Sequence, residues 1–522
     1  MHSVNTDRRL LLKRGIAAGS LLLPLPFART WAQSDGTLRL MRLPKIALVA
    51  GNSRYRNAPA LQNPANDAKA IAAVLKGLGF DVTLKLDSGR EEMAAAIQAY
   101  AQTLAKKKCV GLFYFAGHGL QLAWRNFLLP VDAAIAKMDD VSRQGLDVSG
   151  LIEGITRASN PMNVIVLDAC RENPFARDFR VEYKGLSQMD APPGTLLAYA
   201  TSPGNVASDG LGANGLYTEH LLRELQIRDA KIEDVFKRVR LGVRHKSNGA
   251  QIPWESTSLE EDFYFLPPEQ LKKLSDAEKE RLYKEELALW ERAQNATQPA
   301  PIEDYLKRYP SGDFSELAQL RLDRVLARQG ERRIQLASQT GNPFTKGSAF
   351  TRIAKVGDSF TYRELDLRTK AEHPAYTTVV VQVTDTEVIH DSGLVTDLLG
   401  NQRRTKEGYV YSPNQLVPSE FAIGKRWRTR YAVTDPKGVT FQSVQTIRIV
   451  AREEVTVPAG TFNAFRLEGR GRASNPAVDI EYIVRRWYVP EFQRPVAREE
   501  VRRRDGKVIF GQRLELVSYK LA

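Results

Sequence analysis

Four short apolar runs, dense in β-branched and aromatic side chains, recur through the first half of this 522-residue chain. They are Ile46 to Ala50, Val110 to Phe115, Val164 to Leu167 and Thr195 to Ala200. Runs apolar at almost every position have no face to show to water, so they predict strands buried on both sides, as in a parallel sheet. Phe80 to Leu86 alternates as a further strand. Such a sheet needs crossover helices. Asp67 to Leu78, Glu91 to Ala105, Val148 to Ala158, Tyr217 to Leu225 and Ile232 to Val243 carry the apolar spacing that supplies them. Residues 42–266 are therefore expected to form an α/β fold, a three-layer α/β/α sandwich with right-handed crossovers.

In open sheets of this kind the working residues gather at the carboxyl ends of the strands, where loops form a crevice. Two runs close on reactive groups: Phe115-Ala116-Gly117-His118-Gly119 and Asp168-Ala169-Cys170-Arg171. An imidazole and a thiol, each expected at the end of a buried strand, suit the base and nucleophile of a peptidase. The same residues allow plainer roles. A cysteine at a strand end often serves as a small buried hydrophobe, and a histidine among glycines can satisfy a turn.

Three motifs in this order, each after an expected strand, identify a family resemblance. Ala116-Gly117-His118-Gly119, Asp168-Ala169-Cys170-Arg171 and Tyr199-Ala200-Thr201-Ser202-Pro203-Gly204 make residues 42–266 similar to the caspase-like peptidases: caspases, metacaspases and their bacterial relatives. The 52-residue interval from His118 to Cys170 matches the caspase spacing of about 50. The resemblance implies Cys170 as nucleophile, His118 as its base, and the backbone N–H groups of Gly119 and Cys170 as oxyanion donors. It also implies a pocket for the substrate side chain. Caspases place Gln two residues before the nucleophile, whereas this chain has Asp168, and Asp209 stands where the caspase loop offers an arginine. Asp67, in Pro64-Ala65-Asn66-Asp67, resembles the other acidic pocket residue of metacaspases. Carboxylates clamp a planar guanidinium, so cleavage after Arg or Lys is expected, with Asp refused. Each acid has a second role open to it: Asp67 as a helix N-cap, Asp168 and Asp209 as turn acceptors. The linker after Cys170 holds Arg177, Arg180 and Lys184, which fit self-cleavage of the kind seen in the family.

No cofactor and no metal are expected. Calcium activates many metacaspases, but this chain shows no EF-hand-like run of acidic ligands. The competing function is a catalytically silent caspase-like scaffold that binds basic peptides or envelope components.

Residues 1–32 read as a leader. Arg8-Arg9, a short apolar stretch broken by Gly19 and Pro24, and Thr30-Trp31-Ala32 resemble a twin-arginine export signal, which makes the expected location periplasmic or secreted. An exported protein with two cysteines invites a disulfide. Cys109 opens one strand and Cys170 ends its parallel neighbour, roughly 20 Å away, so both are expected as free thiols.

Residues 267–333 are expected as a helical spacer, one hairpin resembling a degenerate tetratricopeptide pair. Residues 345–522 alternate in short runs separated by Gly, Asn and Pro, and are expected to form an antiparallel β-rich domain of unknown role. It loosely resembles curved-sheet domains of envelope proteins. Of the chain's net charge of +14, this segment carries +8, from 29 Lys and Arg against 21 Asp and Glu. Arg426, Arg428 and Arg430 share one strand face, expected either to meet water or to meet an anionic envelope surface. No nucleic-acid motif accompanies the charge. The oligomeric state is not legible.

Overall fold

The computed structural model describes residues 36–170, 174–175, 185–207, 212–269, 275–331 and 341–522. The leader, Arg177, Arg180, Lys184 and Asp209 lie outside the described residues. Lys45–Gly51 (β1), Phe80–Leu86 (β2), Val110–Leu122 (β3), Arg125–Leu128 (β4), Leu146–Asp147 (β5), Met162–Cys170 (β6), Thr195–Tyr199 (β7) and Trp254–Thr257 (β8) make one eight-stranded sheet. Its main path runs β2-β1-β3-β6-β7-β8, parallel through β7 and antiparallel at β8.

The helices are Pro64–Gly77 (α1), Arg90–Lys107 (α2), Met138–Gln144 (α3), Val148–Ala158 (α4), Leu216–Glu224 (α5) and Ile232–Lys246 (α6). The chain steps outward from β1 to β2 and then crosses back over β1 to β3. Right-handed connections therefore place α1 and α2 on opposite faces. α1 meets α5, while α2 meets α4. Leu48, Phe113, Ile165 and Leu197, from four adjacent strands, are at most 2% exposed and belong to one core. Cys109 is a buried free thiol whose backbone N–H donates to Asn160 Oδ1 at 2.8 Å.

One expectation fails at β3. The apolar run was expected to stop at the histidine, but the strand continues to Leu122 and folds back as β4, with Leu122 opposite Arg125. The turn residues Ala123 and Trp124 have φ of 49° and 66°. Two consecutive left-handed residues make a tight hairpin turn that usually takes Asn-Gly, and nothing in Ala-Trp signals it.

Three helices, rather than one pair, follow the sheet: Asp276–Ala293 (α7), Pro299–Arg308 (α8) and Ser315–Arg328 (α9). Ser275 and Glu278 start α7 with a capping box. Trp290, Tyr305, Phe314 and Leu322 form its core. Arg244 of α6, 5% exposed, ties this unit to the sheet domain: Nε donates to Glu331 Oε1 at 3.1 Å, and the guanidinium also pairs with Asp323. Arg244→Met is expected to cost about 1–3 kcal/mol, because it leaves Glu331 without this cation, while Asp323 keeps the Gln319 amide donor. Limited proteolysis should then cut faster within residues 276–331, and an unchanged rate would show that the pairing is dispensable.

Residues 359–520 close into an antiparallel barrel of twelve strands among the described residues. The seam is the pairing of Ser359–Asp366 with Lys507–Lys520. The curved sheet suggested by resemblance closes on itself, so the barrel has no open edge. The basic stripe on Arg426–Thr434 is not simply solvated. Arg430 pairs with Glu280 of α7 at 2.9 Å and lies 5.6 Å from the Tyr283 ring. No helix among the described residues is long and apolar enough to cross a membrane.

Candidate active site

In the ladder between β3 and β6, Ala116 is in register with Asp168 and Gly119 with Cys170. Three steps along β3 therefore match two along β6, and the surplus residue is a β-bulge at Gly117-His118. A bulge bends its strand and re-aims a side chain. Here it sets His118 beside the rung where β6 ends in Cys170.

Two glycines make this approach sterically feasible. A Cβ on Gly119 would lie 2.7 Å from the Ala169 carbonyl oxygen, so a side chain there would push the two strands apart. Gly117 has φ +155° and a Cβ there would meet Tyr55 Oη at 2.6 Å.

The imidazole is held by the loop that follows β1. His118, 4% exposed, has Nε2 2.9 Å from the Pro59 carbonyl oxygen. A carbonyl only accepts, so this bond keeps the proton on Nε2 and makes Nδ1 the basic nitrogen of the neutral ring. Tyr55 packs on the ring with centroids 4.6 Å apart, and its hydroxyl accepts the His118 backbone N–H at 2.8 Å and donates to the Leu129 carbonyl at 3.2 Å. Asn52, fully buried, ties the same loop down: Nδ2 donates to the Leu129 carbonyl at 3.0 Å and Oδ1 accepts from Ser88 N–H at 3.1 Å. Tyr55→Phe removes the acceptor of a buried N–H and is expected to cost about 1–3 kcal/mol. A urea midpoint equal to that of the parent would refute this.

The two acids within the described residues converge on the start of α5. Asp67, fully buried, is not the cap of its own helix; that position is Asn63. Its Oδ1 accepts from Asn214 Nδ2 at 2.8 Å and Gly215 N–H at 2.9 Å. Asp168, 1% exposed, accepts at Oδ2 from Thr218 Oγ1 at 3.1 Å. Thr218 also meets Tyr114 Oη at 2.7 Å, and burial together with the nearby Asp168 and Asp67 drives the Tyr114 phenol well above its usual range. Asp209 lies outside the described residues.

The segment beyond the site is anchored on both sides. Asn126, from the unforeseen hairpin, exchanges two hydrogen bonds with the Ser187 backbone, at 2.9 and 2.7 Å. From the barrel side, Asn342 Nδ2 donates to the Gln188 carbonyl at 3.0 Å and Gly347 N–H donates to Asp190 Oδ2 at 2.6 Å. Among the described residues, no group of three or more His, Cys, Asp or Glu is arranged to hold a metal ion.

This geometry coincides with a family match. The profile of the caspase domain of peptidase family C14 fits residues 44–264. Residues 44–264 are a caspase domain. The human mucosa-associated lymphoid tissue lymphoma translocation protein 1 is 29% identical over 232 residues, which cover 43% of this chain and 27% of that protein. Its mouse homolog matches with the same identity and coverage. The chain thus spans about a quarter of the length of these relatives. The matching family is one of peptidases.

Tyr55, Pro59, Asn214 and Thr218 were not foreseen as site residues. The signal available was the position of residues 52–61 directly after β1, at the carboxyl end of the sheet where crevice loops arise.

Proposed function

We propose that this chain is an exported cysteine endopeptidase that hydrolyses peptide bonds after Arg or Lys. The observation that supports it best is the β3 bulge, which sets His118 beside the Gly119–Cys170 rung with Nε2 committed to a carbonyl. In the reaction, Cys170 Sγ bonds to the scissile carbonyl carbon while His118 Nδ1 takes the thiol proton. Backbone N–H groups of Gly119 and Cys170 stabilise the resulting oxyanion. Collapse expels the amine, which leaves with the proton from His118, and water then hydrolyses the thioester with His118 as base. Asp67 and Asp168, buried beneath the site, supply negative charge for the substrate cation, and Asp209 is assigned the same role. The linker bearing Arg177, Arg180 and Lys184 is a substrate of the same specificity, cut by the enzyme itself.

The twin-arginine-type leader directs the protein to the periplasm or beyond, where the helical unit and barrel hold the caspase domain at the envelope. No cofactor takes part. The direct test is a fluorogenic peptide panel with Arg, Lys, Asp or Leu before the cleaved bond, run on wild type and Cys170→Ala. Cleavage after Arg and Lys that vanishes in Cys170→Ala is the expected result. Preferred cleavage after Asp would overturn the pocket, and no cleavage of any member would favour a peptide-binding scaffold.

A further inference from the structure

The barrel encloses a cavity of about 400 Å³, remote in the chain from every residue assigned to peptidase chemistry. Its lining divides by chemistry. Phe360, Val380, Val388 and Phe492 provide an apolar wall, while Arg486, Arg498, Glu500 and Arg502 bring charge. Asp479–Val489 and Arg494–Arg504 are neighbouring strands, and their register sets Arg486 directly opposite Arg498. Like charges facing each other across a ladder repel, and more strongly where water is scarce.

The lining carboxylates do not resolve this: Glu364 and Glu407 pair with Lys406. Glu500 is 6% exposed; Oε1 accepts from Arg502 Nε at 2.6 Å, and Oε2 is taken by Arg498 Nη2. Arg486 is only 8% exposed, and its Nη1 has no hydrogen-bond partner. Among the described residues no carboxylate forms an ion pair with it. Arg498 Nε and the hydroxyl of Tyr488, a residue 1% exposed, are likewise buried without partners and belong to the same lining. Unpartnered N–H donors on two cations, with a phenol that can donate in the same lining, favour a ligand with accepting oxygens, and the two positive charges favour one that is an anion. Burial, with Arg498 beside it, lowers Arg486 to about 10, which leaves it charged at neutral pH.

We propose that the barrel lumen binds an amphiphile with one carboxylate or phosphate head and a short apolar body. The head sits on Arg486, Arg498 and Tyr488, and the body lies against Phe360, Val380, Val388 and Phe492. This site is independent of the peptidase reading.

Calorimetric titration of the full-length protein tests it, with decanoate, decyl phosphate, decanol and inorganic phosphate as probes. Decanoate or decyl phosphate should bind saturably, at least about tenfold more tightly than decanol or inorganic phosphate. Arg486→Met should weaken binding by about tenfold or more, while Arg485→Gln, on the outer face of the same strand, should leave it unchanged. Val388→Trp, which fills the apolar wall, should block it with Arg486 intact. If Arg486→Met does not fold, Tyr488→Phe and Val388→Trp carry the test, and normal binding by both would overturn the site. Equal affinity for decanol refutes the anion contact, equal affinity for inorganic phosphate refutes the apolar body, and no saturable binding of either amphiphile refutes the proposal.

Discussion

Cys170→Ala should abolish cleavage of Arg-containing peptides, with a fall in kcat on the order of 10⁴-fold or more. His118→Ala should cost a similar factor, because the thiol proton then has no acceptor at the site. The pair is the informative experiment. Two groups that act in one proton transfer are strongly non-additive, so the double variant should be scarcely worse than either single one. If the two losses multiply instead, the residues work separately and the dyad is wrong. Retention of activity within tenfold in Cys170→Ala would remove the nucleophile altogether.

The second large effect belongs to Asp168. Asp168→Asn keeps an acceptor for Thr218 Oγ1, now at 3.1 Å from Oδ2, but removes the charge. Loss of one partner from a buried, hydrogen-bonded charge pair costs about 2–5 kcal/mol, so kcat/KM for Arg substrates should drop on the order of 10²-fold or more. Citrulline, the neutral isostere of arginine, gives the control: its turnover should change little, and the Arg-over-citrulline ratio should collapse. A variant that loses both substrates equally would make Asp168 a structural residue. Asp67 is the poorer choice for this test, because its Oδ1 also holds Asn214 and Gly215 at the start of α5.

Legibility differed from element to element for physical reasons. The buried strands β1, β3, β6 and β7 could be read because a fully apolar run has few other places to go in a soluble fold. The β3–β4 hairpin could not, since its turn relies on left-handed Ala123 and Trp124, a conformation those side chains disfavour and that only the surrounding packing sustains. Barrel closure was equally hidden. Alternation along Thr440–Val457 or Asp479–Val489 tells which side chains point inward, but not whether the first and last strands meet. Arg430 looked like surface charge because its partner Glu280 lies 150 positions away.

Sequence by itself determined the α/β class of the first domain, the antiparallel character of the last, and His118 and Cys170 as the residues worth testing. Those depend on local periodicity and on side-chain chemistry, which each residue carries with it. Tertiary structure decided which side chains serve which. It put Pro59 on His118, gave Asp67 the Asn214 side chain and the Gly215 N–H as partners, and set Arg486 against Arg498 inside a closed barrel. Each of these is a meeting of groups far apart in the chain, fixed by strand register and packing, and no local pattern records them.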